Sequence, residues 1–259
     1  MSEPVNITSR DNPFLKRLRV LAQDNAGYRK FGQVWLEGDH LCRALISRQY
    51  RPDIAVFAES AWPLADPALK RVAPKIYLVP DALMSGISGL ESPAGMGFVW
   101  SLPQDAGILP GAPTVVLDRL QDAGNVGSIV RSAAAMGFAQ VLAVKGTAAL
   151  WSPKVLRAGM GAHFALRLVE GLSPDDLNAL ELPVLSTSSH EGEWLHEMAL
   201  PHPCAWVLGH EGQGVGEGVG ALTTRSVRIA QPGGEESLNV AAAAAICLHA
   251  SACAALSRP

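Results

Sequence analysis

The sequence predicts an α/β protein in two domains, the second built on a mostly parallel sheet. Short apolar runs alternate with helical stretches along the whole chain, the pattern of strand–helix units. Residues 101–113, SLPQDAGILPGAP, carry three prolines and two glycines with no apolar periodicity, so they read as a linker. Beyond the linker the alternation resumes more strongly. The chain of 259 residues is long enough for two ordinary domains. The expected division is residues 1–106 and 107–259.

In the first domain, Asp11 to Leu21 places Phe14, Leu18 and Leu21 on one face of a helix and Lys16, Arg17 and Arg19 elsewhere. The runs QVWLEG, DIAVFAE, KIYLVP and GMGFVWSL read as strands. In the second domain the strand candidates are TVVLD, AQVLAVKG, FALRLVE, LPVLSTS, CAWVLGH and RSVRIAQ. A long alanine-rich helix is expected from Glu236 to Leu256.

Bulk properties narrow the function. A net charge of −3 argues against wholesale coating of nucleic acid, yet leaves room for a local basic face. Arg10, Lys16, Arg17, Arg19, Arg29 and Lys30 form such a cluster, suited to phosphates. A solvated helix face explains the same residues. The four cysteines show no CxxC pairing, so neither a metal site nor a disulfide framework is expected. No leader pattern or membrane-length apolar run occurs, and a cytoplasmic location with no membrane partner is the simplest expectation.

In open parallel sheets ligands gather where strands end and loops lead into helices. Three such loops are unusual: LDRLQDAGNVGSIVRSAAAMG (117–137), LGHEGQGVGEGVG (208–220) and IAQPGGEESLNVAAAAA (229–245). The glycine-rich loop is not a Walker loop, since no lysine follows its glycines. The dinucleotide pattern is out of register, and Glu211 and Glu217 would repel a pyrophosphate. Carboxylates beside a close-approaching backbone suit a ligand with hydroxyl groups and positive charge, such as a ribose-bearing sulfonium. A plain surface loop is the competing reading. Ser237 or Asn239 suits the cap of the final helix, since a short polar side chain satisfies first-turn amides.

Together the three loops resemble the motifs of the SpoU-type (TrmH-like) RNA ribose 2′-O-methyltransferases of the SPOUT superfamily. The match rests on Asn125, Gly127, Arg131 and Gly137 in the first motif. Gly209, Glu211, Gly212 and Gly214 carry the second, and Ile229, Ser237, Leu238 and Asn239 the third. Residues 152–166, SPKVLRAGMGAHFAL, look like the family's link between motifs, and the resemblance spans about residues 112–257. Ala123 departs from a frequent proline, and Ala230 follows Ile229 where Ile-Pro is usual. ITSRDNPFLKRLRVL, VWLEGDHLCRAL and SGLESPAGMGFVW look like the smaller substrate-binding domain of this family, similar to ribosomal protein L30e.

The resemblance implies S-adenosylmethionine (S-adenosyl-L-methionine) held in a deep trefoil knot of the last strands and helix. Gly209, Gly212, Ile229 and Leu238 would contact it, largely through backbone, and Thr187 would line the adenosine pocket. Asn125, Arg131, Glu211, Ser237 and Asn239 would form the catalytic set. Arg131 would grip the phosphate beside the target ribose and stabilise the developing alkoxide, because a guanidinium stays protonated and is a poor base. A structural pairing of Arg131 with Asp118 or Asp122 is the alternative. The implied partners are RNA, ribosomal in preference to transfer RNA, and a second copy of the chain. A SPOUT-like RNA-binding or ribosome-assembly factor without catalysis is the competing function.

Overall fold

A two-residue strand, β1 (Val5–Asn6), precedes a helix whose limits are chemically marked. Asn12 accepts a hydrogen bond from the Phe14 amide and Pro13 supplies the first helical φ, so α1 runs Pro13–Gln23. Its inward face is Leu15, Leu18, Leu21 and Ala22, while Phe14 is half-buried and stacks on Tyr77 with ring centroids 4.7 Å apart. The buried stripe thus centres one position from the Phe14–Leu18–Leu21 face expected from the sequence, and the aromatic ring covers its edge. A leucine such as Leu18, wholly buried, contributes about 1.5–3 kcal/mol.

This computed structural model describes residues 3–103, 107–188, 191–234 and 237–257. It divides into two compact units, residues 1–104 with Trp151–Phe164, and residues 105–150 with 165–259. After α1 the first unit continues through α2 (Gly27–Phe31), β2 (Gln33–Glu37), α3 (Asp39–Ser47), β3 (Ile54–Ala58) and α4 (Pro67–Arg71). It closes with β4 (Lys75–Val79), α5 (Asp81–Ser85) and β5 (Met96–Ser101). The sheet order is β1-β4-β3-β5-β2, parallel across β1, β4 and β3 and antiparallel at β5. Leu15, Leu18 and Leu21 pack with Trp35, Val56, Val79 and Val99 into its core.

The second unit opens with β6 (Thr114–Leu117), α6 (Ala123–Ala135) and β7 (Gln140–Val144). The chain then contributes α7 (Pro153–Gly159) to the first unit. There the Trp100 ring meets Trp151 and Phe164 at centroid distances of 5.8 and 5.5 Å. Phe164 lies in a short 3-10 turn, Ala162–Ala165, so the following strand, β8 (Arg167–Leu172), begins later than the apolar run suggests. Then come β9 (Val184–Thr187), β10 (Glu193–Trp194), β11 (Ala205–Leu208), α8 (Glu217–Gly220), β12 (Arg225–Arg228) and α9 (Val240–Leu256).

The seven strands lie in the order β10-β12-β9-β11-β6-β7-β8, and each described pairing is parallel. β6, β7 and β11 are buried throughout, as expected of central strands covered on both faces. Val116, Leu142, Val184 and Val207 fill one face. α6 and α9 pack together, and Trp206 in β11 donates its indole N–H to Ser251 of α9 at 2.8 Å. The chain leaves β6 toward β7 and β8, then returns to build β9, β11 and β12 on the other side. The order therefore reverses between β6 and β11, the place in an open parallel sheet where ligands generally bind.

The final helix starts at Val240, directly before its alanine run and later than the expected start. Asn239 holds an extended conformation and caps the helix, which first takes helical form at Val240. The expected start, Glu236, lies outside the described residues. Residues 104–106 of the expected linker do so as well. Its remainder carries no regular element after Ser101, and Gly111 turns it with φ 69°.

Candidate active site

The loop after β6 is shaped by two aspartates. Asp122 accepts from the Asn125 amide at 2.7 Å and starts α6, a cap that requires no charge elsewhere in the helix. Asp118 is buried, with its side chain only 2% exposed, and a buried carboxylate needs partners. It has two, through three bonds: Arg119 donates Nε at 3.0 Å and Nη2 at 3.1 Å, and the Gly216 amide donates at 2.6 Å. Neither aspartate meets Arg131. That residue stands exposed on α6, and its side chain makes no hydrogen bond or ion pair among the described residues. The structural pairing weighed for Arg131 is therefore not the one the fold makes.

The loop after β11 folds back on itself. His210 and Gly214 exchange backbone hydrogen bonds of 3.0 and 2.8 Å. A Cβ at Gly209 would overlap the Gly214 and Val215 backbone, so this position needs glycine for close approach. The Gly212 amide donates to His210 Nδ1 at 3.0 Å. The fold-back turns Glu211 toward the first loop, where it accepts from the Gln121 amide at 3.4 Å and the Asp122 amide at 3.3 Å. Burial pushes the Glu211 carboxyl up, but hydrogen bonds from its own amide, Asn125, Gln121 and Asp122 outweigh that and hold it below the ordinary value of 4.5. It is ionised at neutral pH.

Asn125 joins the three loops. Its Nδ2 donates to Glu211 Oε1 at 3.3 Å, and its Oδ1 accepts from Asn239 Nδ2 at 3.0 Å. Asn239 Oδ1 in turn accepts from the Ala241 and Ala242 amides at 2.9 and 3.2 Å. A cap and a loop link thus share one side chain. Three members of the expected catalytic set, Asn125, Glu211 and Asn239, are brought together.

The other expected residues stand separately. Ser237 is exposed and makes no hydrogen bond among the described residues, so helix capping falls to Asn239 alone. Thr187 ends β9 half-buried, in register with Val227, and Ile229 follows β12 half-buried. Leu238 is 39% exposed, unusual for a leucine beside a polar loop. The basic residues belong to the first unit: Arg10, Lys16, Arg29 and Lys30 are exposed, Arg17 and Arg19 half-buried. Arg119 is the residue that sequence reasoning missed. Its signal was the neighbouring Asp118, a charge at the end of a wholly buried strand.

Other chemistry is poorly supplied. Burial, then the neighbouring Cys204, pushes the Cys247 thiol up to about 12, so it stays protonated. Among the described residues no group of three or more His, Cys, Asp or Glu could hold a metal ion, and no helix is long and apolar enough to cross a membrane. A cavity of about 380 Å³, lined by Pro113, Phe138, Cys204, Ser251 and Ala255, opens at the amino ends of the central strands. It lies at the wrong end of the sheet for the motif loops.

Residues 112–249 match the SpoU rRNA Methylase family, so the chain belongs to that family of S-adenosylmethionine-dependent RNA ribose 2′-O-methyltransferases. An uncharacterised tRNA/rRNA methyltransferase of Synechocystis is 32% identical over 262 aligned positions, covering 96% of this chain and 93% of the relative. The 23S rRNA (guanosine(2553)-2′-O)-methyltransferase of Bacillus subtilis is 29% identical, with 83% of this chain and 86% of that protein aligned. A putative TrmH-family RNA methyltransferase from Porphyromonas gingivalis superposes with a TM-score of 0.79 at 29% identity, covering 92% of this chain and 96% of that one.

Proposed function

We propose that the Glu211–Asn125–Asn239 assembly is the centre at which this chain methylates a ribose 2′-hydroxyl of structured ribosomal RNA. The observation that carries the reading is the hydrogen-bonded link of three loops through one asparagine. The cofactor fits what stands around it. The close approach of Gly209 to the Gly214–Val215 backbone shapes a tight loop whose backbone would face an adenosine, half-buried Ile229 and exposed Leu238 offer apolar surface, and an ionised Glu211 complements a sulfonium. Gly212 and Thr187 would complete the adenosine side. The bound cofactor supplies an electrophilic methyl group.

The chain's own residues would supply position and charge. Holding the 2′-oxygen in line with the methyl carbon converts an encounter into an intramolecular step. Arg131, exposed and without a side-chain partner among the described residues, would grip the phosphate next to the ribose and stabilise oxygen as it loses its proton. The proton leaves to a phosphate oxygen or water. Ser237, equally unengaged, would face the same ligand. In the first unit, an L30e-like substrate domain, the cluster from Arg10 to Lys30 would hold RNA phosphates. The last strands and α9 would form the family's trefoil knot.

A second copy would cover α9. This helix is apolar all round, burying Ala244, Cys247 and Leu248 while leaving Ile246 41% and Leu256 86% exposed. A homodimer in the cytoplasm, without a membrane or metal partner, is the working form we infer. Light scattering at micromolar concentration should give twice the chain mass; a single-chain mass would remove the dimer. The function itself is tested by incubating the protein with labelled S-adenosylmethionine and unmodified ribosomal or transfer RNA. Label on a ribose of ribosomal RNA is expected. RNA that is bound but never labelled would leave only an assembly factor.

A further inference from the structure

Arg119 occupies a position that its own backbone resists. Its φ is 59°, in the left-handed region that residues with a side chain seldom adopt. The conformation is held from both sides: Thr147 Oγ1 accepts from the Arg119 amide at 3.0 Å and itself donates to the Leu117 carbonyl at 2.9 Å. So directed, the guanidinium reaches across to the glycine-rich loop. Nη1 donates to Gln213 Oε1 at 3.1 Å and Nη2 to the Gly214 carbonyl at 3.3 Å, while Nε and Nη2 grip Asp118.

Space for this side chain is reserved by two glycines. A Cβ at Gly146 would stand 3.3 Å from Arg119 Cγ, and one at Gly216 would stand 2.7 Å from Nη2. Gly216 also donates its amide to Asp118, so carboxylate, guanidinium and glycine loop close on one another. The loops after β6, β7 and β11 meet at this one residue. An arginine fork suits such a junction, since a planar group with five donors serves several acceptors in fixed directions.

We propose that Arg119 is a positioning residue that clamps the 209–216 loop in the form that receives the cofactor. The proposal rests on the methyltransferase reading above and adds a residue that touches neither methyl donor nor ribose. The clamp acts on the backbone through which Gly209 and Gly212 would contact the adenosine. Its loss should therefore weaken cofactor binding more than it slows transfer from the bound cofactor.

The test compares wild type with Arg119→Ala, Arg119→Lys and Gly216→Ala. Each is measured by S-adenosylhomocysteine calorimetry, methyl-transfer kinetics, amide exchange and thermal unfolding. Arg119→Ala should raise the KM for S-adenosylmethionine about tenfold or more, with kcat at saturation changed less than about threefold. Amide exchange should quicken over residues 209–216 and stay unchanged in β6 and α6. Arg119→Lys should recover little, because one ammonium cannot serve Asp118, Gln213 and Gly214 together. Gly216→Ala should shift KM and exchange the same way with Arg119 still present. Its φ of −71° accepts alanine, so it carries the test if Arg119→Ala does not fold.

A wild-type KM and unchanged loop exchange in Arg119→Ala would overturn the clamp. So would exchange quickened evenly across the unit, which marks a residue serving overall stability alone. If wild type itself binds no S-adenosylhomocysteine, the methyltransferase reading fails and takes this role with it. If wild type binds and the variants bind equally, only the clamp is lost.

Discussion

On α1, in the first unit, cations are met by neighbours close in the chain. Lys16 lies 3.0 Å from Asp11, Arg17 sits over the Phe14 ring at 5.4 Å, and Arg19 donates to the Arg10 carbonyl at 3.2 Å. In the second unit the polar links run across the fold, joining residues 98 apart at Gly216 and Asp118, 86 apart at Asn125 and Glu211, and 114 apart at Asn239 and Asn125. Local pairs on an exposed helix contribute little stability and leave charge available to a polyanion. Long-range pairs among loops fix a geometry. The first arrangement suits grip on a backbone of phosphates, the second suits alignment of two reactants. Arg119 and Arg131 repeat the contrast within one motif: the first is bonded across two loops, and the second, exposed, is the one we propose for a ligand.

The largest expected effect breaks that last contrast. Arg131→Ala should lower the single-turnover methylation rate by roughly 10²-fold or more, the scale for removing one preorganised charge-stabilising donor. Melting temperature and cofactor affinity should hold, because the Arg131 side chain is exposed and bonds to no other side chain among the described residues. Near-normal turnover in a stable variant would remove it from the mechanism. Arg131→Lys should restore little, since a point charge does not reproduce a two-pronged hold on phosphate.

A smaller effect is expected from the first unit. Replacing Lys16, Arg17 and Arg19 together by alanine should weaken RNA binding and flatten its dependence on salt, by up to about one unit of log–log slope per lost phosphate contact. Cofactor affinity should not change. RNA affinity that survives the triple substitution would reduce the cluster to a solvated face.

The smallest effect concerns pH. Glu211 has a folded-state pKa below the ordinary 4.5, so its ionised form is the one the loops stabilise. That contribution is complete above the unfolded value and is lost as pH falls through the folded one. Cofactor affinity, read by calorimetry, should therefore hold from neutral pH down to about 5 and fall only in stronger acid. An affinity that already declines between pH 7 and 6 would show that Glu211 is not held ionised by these bonds.

Much of the second unit was legible because its central strands are buried on both faces and so appear as short unbroken apolar runs, Thr114–Leu117 and Ala205–Leu208 among them. β1 and β10, two residues each, carry too little pattern to be read. The start of α9 differs from the expected one because Ser237 and Asn239 both have cap chemistry, and only the fold shows that Asn239 takes the cap. In the site, the residue types were visible and their partners were not. Spacing along the chain cannot tell that Asn125 stands between Glu211 and Asn239, since only the parallel order of β6, β11 and β12 brings those loops to one edge. Arg119 was hidden for a related reason: its acceptors lie on a loop more than ninety residues away.

In the proposed mechanism the three loops act as one catalytic unit through Asn125. A double-mutant cycle between Glu211→Gln and Asn239→Ala, read as the single-turnover methylation rate at saturating cofactor, tests it most directly. If the Glu211–Asn125–Asn239 link carries the geometry, either substitution already breaks it, and the double variant should be no more than a few-fold slower than the worse single one. If the two rate losses multiply instead, the residues act independently and the account of a single linked site is contradicted.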